Sequence, residues 1–181
     1  GDTLTFRVTV LPGQKYPVTV DPTTSITSGI NGYASESDAN VTISRAGAGD
    51  NSGTDQIRVG NRNYNAEFTF SRGFICIPNI PNILTATACT LYVDGYVDAS
   101  YEDITIYMVG ARSARSTITN ADYRNFNGWQ YDGAKPYTGT VLSNNWSSAA
   151  YSSGWNPLIF LAAGLDSLKA ASGDSLWVAL L

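Results

Sequence analysis

The chain contains no histidine, and that one absence removes the commonest catalytic designs. Without imidazole there is no Ser-His-Asp or Cys-His relay. A zinc site of the usual Cys/His kind is excluded too. Charge is also scarce: 14% of residues are charged, against about a quarter in ordinary globular chains. The 8 Arg and 3 Lys are scattered, and the net charge is −4. A nucleic-acid surface needs a basic stripe, and attachment to anionic lipid needs a polybasic patch. Neither is present. Long apolar runs are missing as well. Leu158 to Leu165 is broken by Gly164 and falls far short of the roughly 20 residues of a membrane span. The sequence therefore predicts no nucleic-acid partner and no membrane insertion.

Cysteine is nearly absent, with only Cys76 and Cys89. Both lie in apolar, strand-like segments on either side of a proline-containing turn. Antiparallel pairing would let them form a disulfide, worth roughly 3 kcal/mol for a loop of this size. Two buried free thiols are the alternative.

What is present is polarity without charge. Hydrophobic residues make up 43% of the chain, and Ser, Thr, Asn and Gly supply most of the rest. Thr and Tyr suit a pleated, half-buried surface, while Gly and Asn make turns. The 181 residues are enough for one domain with its own core. Thr3 to Val10 alternates, with Leu4, Phe6, Val8 and Val10 on one face. With Tyr16 to Val20 it predicts an N-terminal β-hairpin over residues 1–22, which belongs to this domain, to a preceding one or to a neighbouring subunit. Further strands are predicted over 32–35, 40–44, 56–60, 65–77, 84–97, 104–109, 138–142, 155–161 and 175–181. Thr119 to Phe126 carries a capped helical turn. Ala162 to Ala171 is the one short amphipathic helix. Short strands separated by turn signals predict an all-β sandwich of antiparallel strands, a jelly roll, over 23–181.

Three stretches also resemble a known family. They are Gln56-Ile57-Arg58-Val59-Gly60, then Arg72-Gly73-Phe74-Ile75-Cys76-Ile77-Pro78, then Ile83 to Val93. Their order is similar to that of DNRLRE-type jelly-roll modules, which are also classed with carbohydrate-binding modules of large bacterial and phage surface proteins. Cys76 and Cys89 stand where that family usually has large apolar residues. The resemblance implies a jelly-roll fold and placement outside the cell, on its surface or on a virion. It carries no binding residue across.

The candidate chemistry lies in two places. Asp94, Asp98, Glu102 and Asp103 fall within ten residues (DGYVDASYED). A solvated loop is the plain reading; a Ca2+ site is the sharper one, because a hard cation wants several oxygens. The block 123–155 gathers aromatic rings among amides and hydroxyls. Trp129, Tyr131, Tyr137, Asn144, Trp146 and Tyr151 are the candidate glycan contacts, with rings for the C–H faces of sugars and amides for their hydroxyls. The alternative is that these rings plug the ends of a sandwich. The expected function is non-catalytic glycan binding or adhesion, with a polysaccharide or cell-surface glycan as partner and no cofactor required. The runner-up is a structural subunit of a filament, capsid or phage appendage, joined to other copies of itself by exchange of terminal β-strands. A carboxylate- or tyrosine-based hydrolase or lyase comes third, since nothing in the sequence arranges such a site.

Overall fold

The computed structural model describes residues 30–54, 56–81, 86–95, 103–111, 117–130 and 137–181. The expected hairpin at 1–22 lies outside them. In chain order the elements are β1 (Asn31–Asp38), α1 (Val41–Ala46), β2 (Asn51–Gly53), β3 (Gly60–Tyr64), β4 (Glu67–Ile77), β5 (Thr90–Asp94), β6 (Thr105–Ile106), β7 (Met108–Gly110), β8 (Trp146–Ser147), β9 (Trp155–Ile159), α2 (Ala162–Ala170) and β10 (Leu176–Leu180). The all-β, sandwich-like class expected from the sequence holds: strand pairing is antiparallel throughout, and the α-helices are short.

β4 is the spine of the main sheet, whose order is β2-β1-β4-β10-β7. One edge of β4 pairs with β1 from Phe68 to Ile75. The other edge pairs first with β3, from Glu67 to Ser71, and then with β10, from Gly73 to Ile77. β3 and β4 are joined at Asn65 and Ala66, which have φ of 53° and 61°. Positive φ at both central residues makes the tight turn that matches strand twist. A smaller layer faces the main sheet. β5 pairs with β9, β6 with β8, and bridges from Val109 to Val141 and from Ser143 to Phe160 link the run 141–147 to both neighbours.

Alternation along β4 and β10 sends side chains to two separate cores. Ile75, Ile77, Val178 and Leu180 point inward, where they meet Ile106, Leu142, Leu158, Phe160 and Leu168 of the second layer and α2. Phe74, Cys76, Trp177 and Ala179 point the other way, onto Ile118, Tyr123 and Phe126. The main sheet is thus covered on both faces around β10. This explains why SLWVALL reads as a continuous apolar run rather than an alternating one. β10 pairs on both edges within its own chain, with β4 and β7.

Two expectations are corrected here. Residues 40–44 were expected as a strand, but Val41–Ala46 form α1. The Asn40 side chain accepts from the N–H groups of Thr42 and Ile43, at 2.9 and 3.3 Å. An N-cap of this kind stabilises a helix by about 1 kcal/mol, and it overrides the β-branched residues Val41, Thr42 and Ile43. Cys76 and Cys89 are free thiols. Cys76 packs in the outer core and Cys89 against the inner one, so the main sheet keeps them apart. Burial pushes both thiols above their ordinary pKa.

Candidate functional site

The inner face of the main sheet changes character along its length. Around β10 and the C-terminal half of β4 it is apolar and filled. Toward β1, β3 and the N-terminal half of β4 the register brings Ser35 opposite Ser71, Ser37 opposite Thr69, and Thr69 opposite Arg62. Hydroxyls cannot close a dry core, and here the two layers part. The resulting cleft has a volume of about 910 Å³. That lies within the range typical of small-molecule sites. Its floor is Ile75, Ile106, Leu158 and Leu180, and its far wall carries Tyr92, Asp94, Trp146, Tyr151, Trp155 and Asn156.

Local structure holds each wall. On the main-sheet side, Gly73 lets the segment 57–59 lie close against β4: a Cβ there would come within 2.5 Å of Ile57 and 2.8 Å of Val59. Gly60, at φ 123°, bends that segment into β3. The Arg58 guanidinium consequently lies 4.3 Å over the ring of Tyr33, and that of Arg62 lies 5.0 Å over Tyr64. On the opposite side, Asn156 is buried and anchors the loop before it. Its amide nitrogen donates to the carbonyls of Ser152 and Gly154 at 2.9 and 2.8 Å, and its oxygen accepts from the Ser152 N–H at 3.0 Å. This fixes the approach of Tyr151 and Trp155. The Tyr151 hydroxyl is buried and has no hydrogen-bond partner. The Asn61 side-chain oxygen, on the β3 wall, is in the same state. Trp155 is 68% exposed and Tyr92 is 57% exposed; the register sets both on the outward face of the β5–β9 pair, opposite to Leu91 and Leu158, and they meet the cleft at its outer edge.

No family model, no curated protein and no solved structure matches this chain. The geometry of the site is therefore the ground for reading its chemistry.

The six candidate glycan contacts do not form one surface. Trp129 and Tyr137 belong to the cover on the outer face of the main sheet. There Trp129 meets Phe126 edge-on at 5.6 Å, and Tyr137 lies 5.7 Å from Tyr107 and 6.0 Å from Phe126. Burial pushes the Tyr137 phenol up to about 12. Asn144 is structural: its side-chain oxygen accepts from the Ile159 N–H at 2.6 Å and ties the run 141–147 to β9. Trp146 and Tyr151 do line the cleft. Tyr131 lies outside the described residues. Of the four candidate cation ligands, Asp98 and Glu102 also lie outside them. Asp94 lines the cleft, whereas Asp103 accepts from the Ser148 hydroxyl at 3.2 Å.

Sequence reasoning missed Arg58, Arg62 and Tyr92, and it left Trp155, the last ring of the block 123–155, out of the candidate contacts. Alternation held the signal for two of them. Tyr92 falls opposite in phase to Leu91 and Val93, and Trp155 opposite to Leu158, which marks both as outward-facing. No local pattern marks Arg58, because its setting depends on Tyr33, which is distant in sequence; Arg62 lies over Tyr64, two residues further along the same strand face.

Proposed function

We propose that this chain is a non-catalytic glycan-binding module of an extracellular, cell-surface or virion protein, and that the sugar occupies the inter-layer cleft. The jelly-roll connectivity implied by the DNRLRE resemblance is part of the same proposal. One observation carries it: the Tyr151 hydroxyl is buried without a partner in a cleft lined with hydroxyls and rimmed by exposed rings. A buried polar group left unmatched costs about 1–3 kcal/mol. A shift of the ring that brings this hydroxyl into the cleft would let a ligand rich in hydroxyls relieve that cost. The Trp155 and Tyr92 rings offer apolar faces for the C–H side of a pyranose. Among the described residues the lining carries one carboxylate, Asp94. Affinity at one such site is expected to be weak and to grow with repeated copies.

The test is a broad glycan array followed by calorimetry on any hit. Trp155→Ala should weaken binding at least tenfold while leaving the melting temperature unchanged, because that ring is mostly solvated. Absence of binding across the array would refute the module reading, and undiminished binding by Trp155→Ala would refute the site.

The structural-subunit reading retains one supporting feature: among the described residues β5 pairs only with β9, which leaves its other edge open to an added strand. Light scattering separates the readings. A chain that is monomeric at high concentration argues against assembly by strand exchange.

A further inference from the structure

The cleft carries a specificity element that its hydroxyl-rich lining does not require. Arg58 and Arg62 both line it, and among the described residues Asp94 is the one carboxylate of the lining. The chain as a whole is acidic, with a net charge of −4, so two cations on one wall do not follow from a basic composition. Neither arginine makes a salt bridge among the described residues. Each instead lies over a tyrosine ring, at 4.3 Å for Tyr33 and 5.0 Å for Tyr64. The Gln56 amide, turned so that its oxygen faces Arg58, accepts from Arg58 Nη2 and from Nε, at 3.1 Å for Nε; it takes that edge of the guanidinium and leaves the Nη1 side for a ligand.

Stacking on a ring holds a guanidinium in orientation while leaving much of its planar edge free to donate. That edge matches the two oxygens of a carboxylate or sulfate better than a neutral hydroxyl. A cleft with low-dielectric walls also concentrates the field of the charges along it. We infer that the cleft selects negatively charged sugars, uronates or sulfated residues, with Arg58 and Arg62 gripping the anionic group while Trp155 and Tyr92 take the ring. The inference rests on the glycan-binding reading and sharpens it to one ligand class.

The experiment uses the whole chain with matched pairs of oligosaccharides: polyuronate oligomers against their methyl esters, and sulfated oligomers against their desulfated forms. Binding is measured by calorimetry at 50 and 300 mM salt. The acidic member of at least one pair should bind tenfold or more tighter, and high salt should erase most of the difference. Arg58→Gln with Arg62→Gln should bring the acid down to the affinity of its neutral partner. Both positions are exposed, so the double variant should fold, and its melting temperature checks this. Equal binding of acidic and neutral members would overturn the charge selection and leave the glycan reading standing. Absence of binding by every oligosaccharide would overturn the parent reading. Competition by inorganic sulfate as strong as that of a sulfated oligomer would mark a plain anion site and overturn the assignment to sugars.

Discussion

The two faces of β4 use the same residue types to opposite ends. On the outer face Arg72 is buried and pinned: one guanidinium nitrogen donates to the Tyr123 carbonyl at 2.5 Å and another to the Arg45 carbonyl at 2.8 Å. Its charge lies 3.8 Å over the Tyr123 ring, 4.9 Å over Trp129 and 5.1 Å over Phe126. Burial lowers its pKa to about 10. On the inner face Arg58 and Arg62 also lie over rings, but they are exposed, and among the described residues no backbone carbonyl holds them. An arginine whose donors end on the protein's own carbonyls is a fastener. One whose stacking is set while its donors face a cleft is available to a ligand.

Substitution at these positions breaks the comparison most directly. Arg72→Ala leaves two buried carbonyls without donors and opens a hole beneath three rings. The expected loss is on the order of 3 kcal/mol, seen as a fall in melting temperature of roughly 6–12 °C for a chain of this size. Arg72→Met should recover part of that loss, because an apolar side chain of similar volume fills the space without a charge to desolvate. Arg58→Gln should move stability by less than about 0.5 kcal/mol. If thermal melts showed equal losses at Arg72 and Arg58, the distinction between fastener and ligand contact would fail.

Alkaline unfolding probes the closed face. Burial pushes the phenols of Tyr123 and Tyr137 up to about 12. Both folded-state values lie above the ordinary value near 10, so these groups lend their full stabilising effect below pH 10 and lose it as the pH climbs toward 12. Arg72 runs the other way: its value is lowered to about 10 in the folded state, so its burial penalty eases as pH rises past 10. Two tyrosines against one arginine leave the unfolded state with fewer bound protons, and stability should fall between pH 10 and 12. Chemical denaturation at pH 9, 10 and 11 checks this. Rising stability over that interval would show that Arg72 dominates the cover.

Next in size comes the pair of tryptophans. Trp129→Ala should cost about 2 kcal/mol, since the ring is half-buried against Phe126, and leave glycan affinity within twofold. Trp155→Ala should do the reverse. Calorimetry and thermal melts on the same two variants give both readouts. This split also shows what could be read from the sequence. The sequence pattern found α2 and the terminal strand, and a capping residue placed a turn at 119–126, where the Asp122 carboxylate accepts from the Thr119 N–H at 2.8 Å. Composition brought the aromatic block 123–155 to attention. It could not say that Trp129 and Trp155 end on different faces. That is decided by contacts with β4 and β5, which are distant in sequence. The cleft was illegible for the same reason. It exists because Ser35, Ser37, Thr69 and Ser71 fall on one face, and that depends on the register between β1 and β4.

The smallest effect is the sharpest, because it compares two atoms. The hydroxyls of Tyr137 and Tyr151 are both buried and both lack a partner. In the closed cover nothing can arrive to satisfy Tyr137, so its hydroxyl is a standing cost. Tyr137→Phe should leave stability unchanged or raise it by up to about 1 kcal/mol, with no change in binding. Tyr151 instead lines the cleft, where a small shift of its ring would present the hydroxyl to a ligand. Tyr151→Phe should give the same small gain in the free protein and a several-fold loss of glycan affinity. The ratio of the two affinities isolates the hydrogen bond between ligand and hydroxyl from any change in packing, since both variants remove one oxygen from a ring that stays in place. Equal affinities in the two variants would mean that the Tyr151 hydroxyl is as unreachable as that of Tyr137, and that the cleft has no polar anchor at this position.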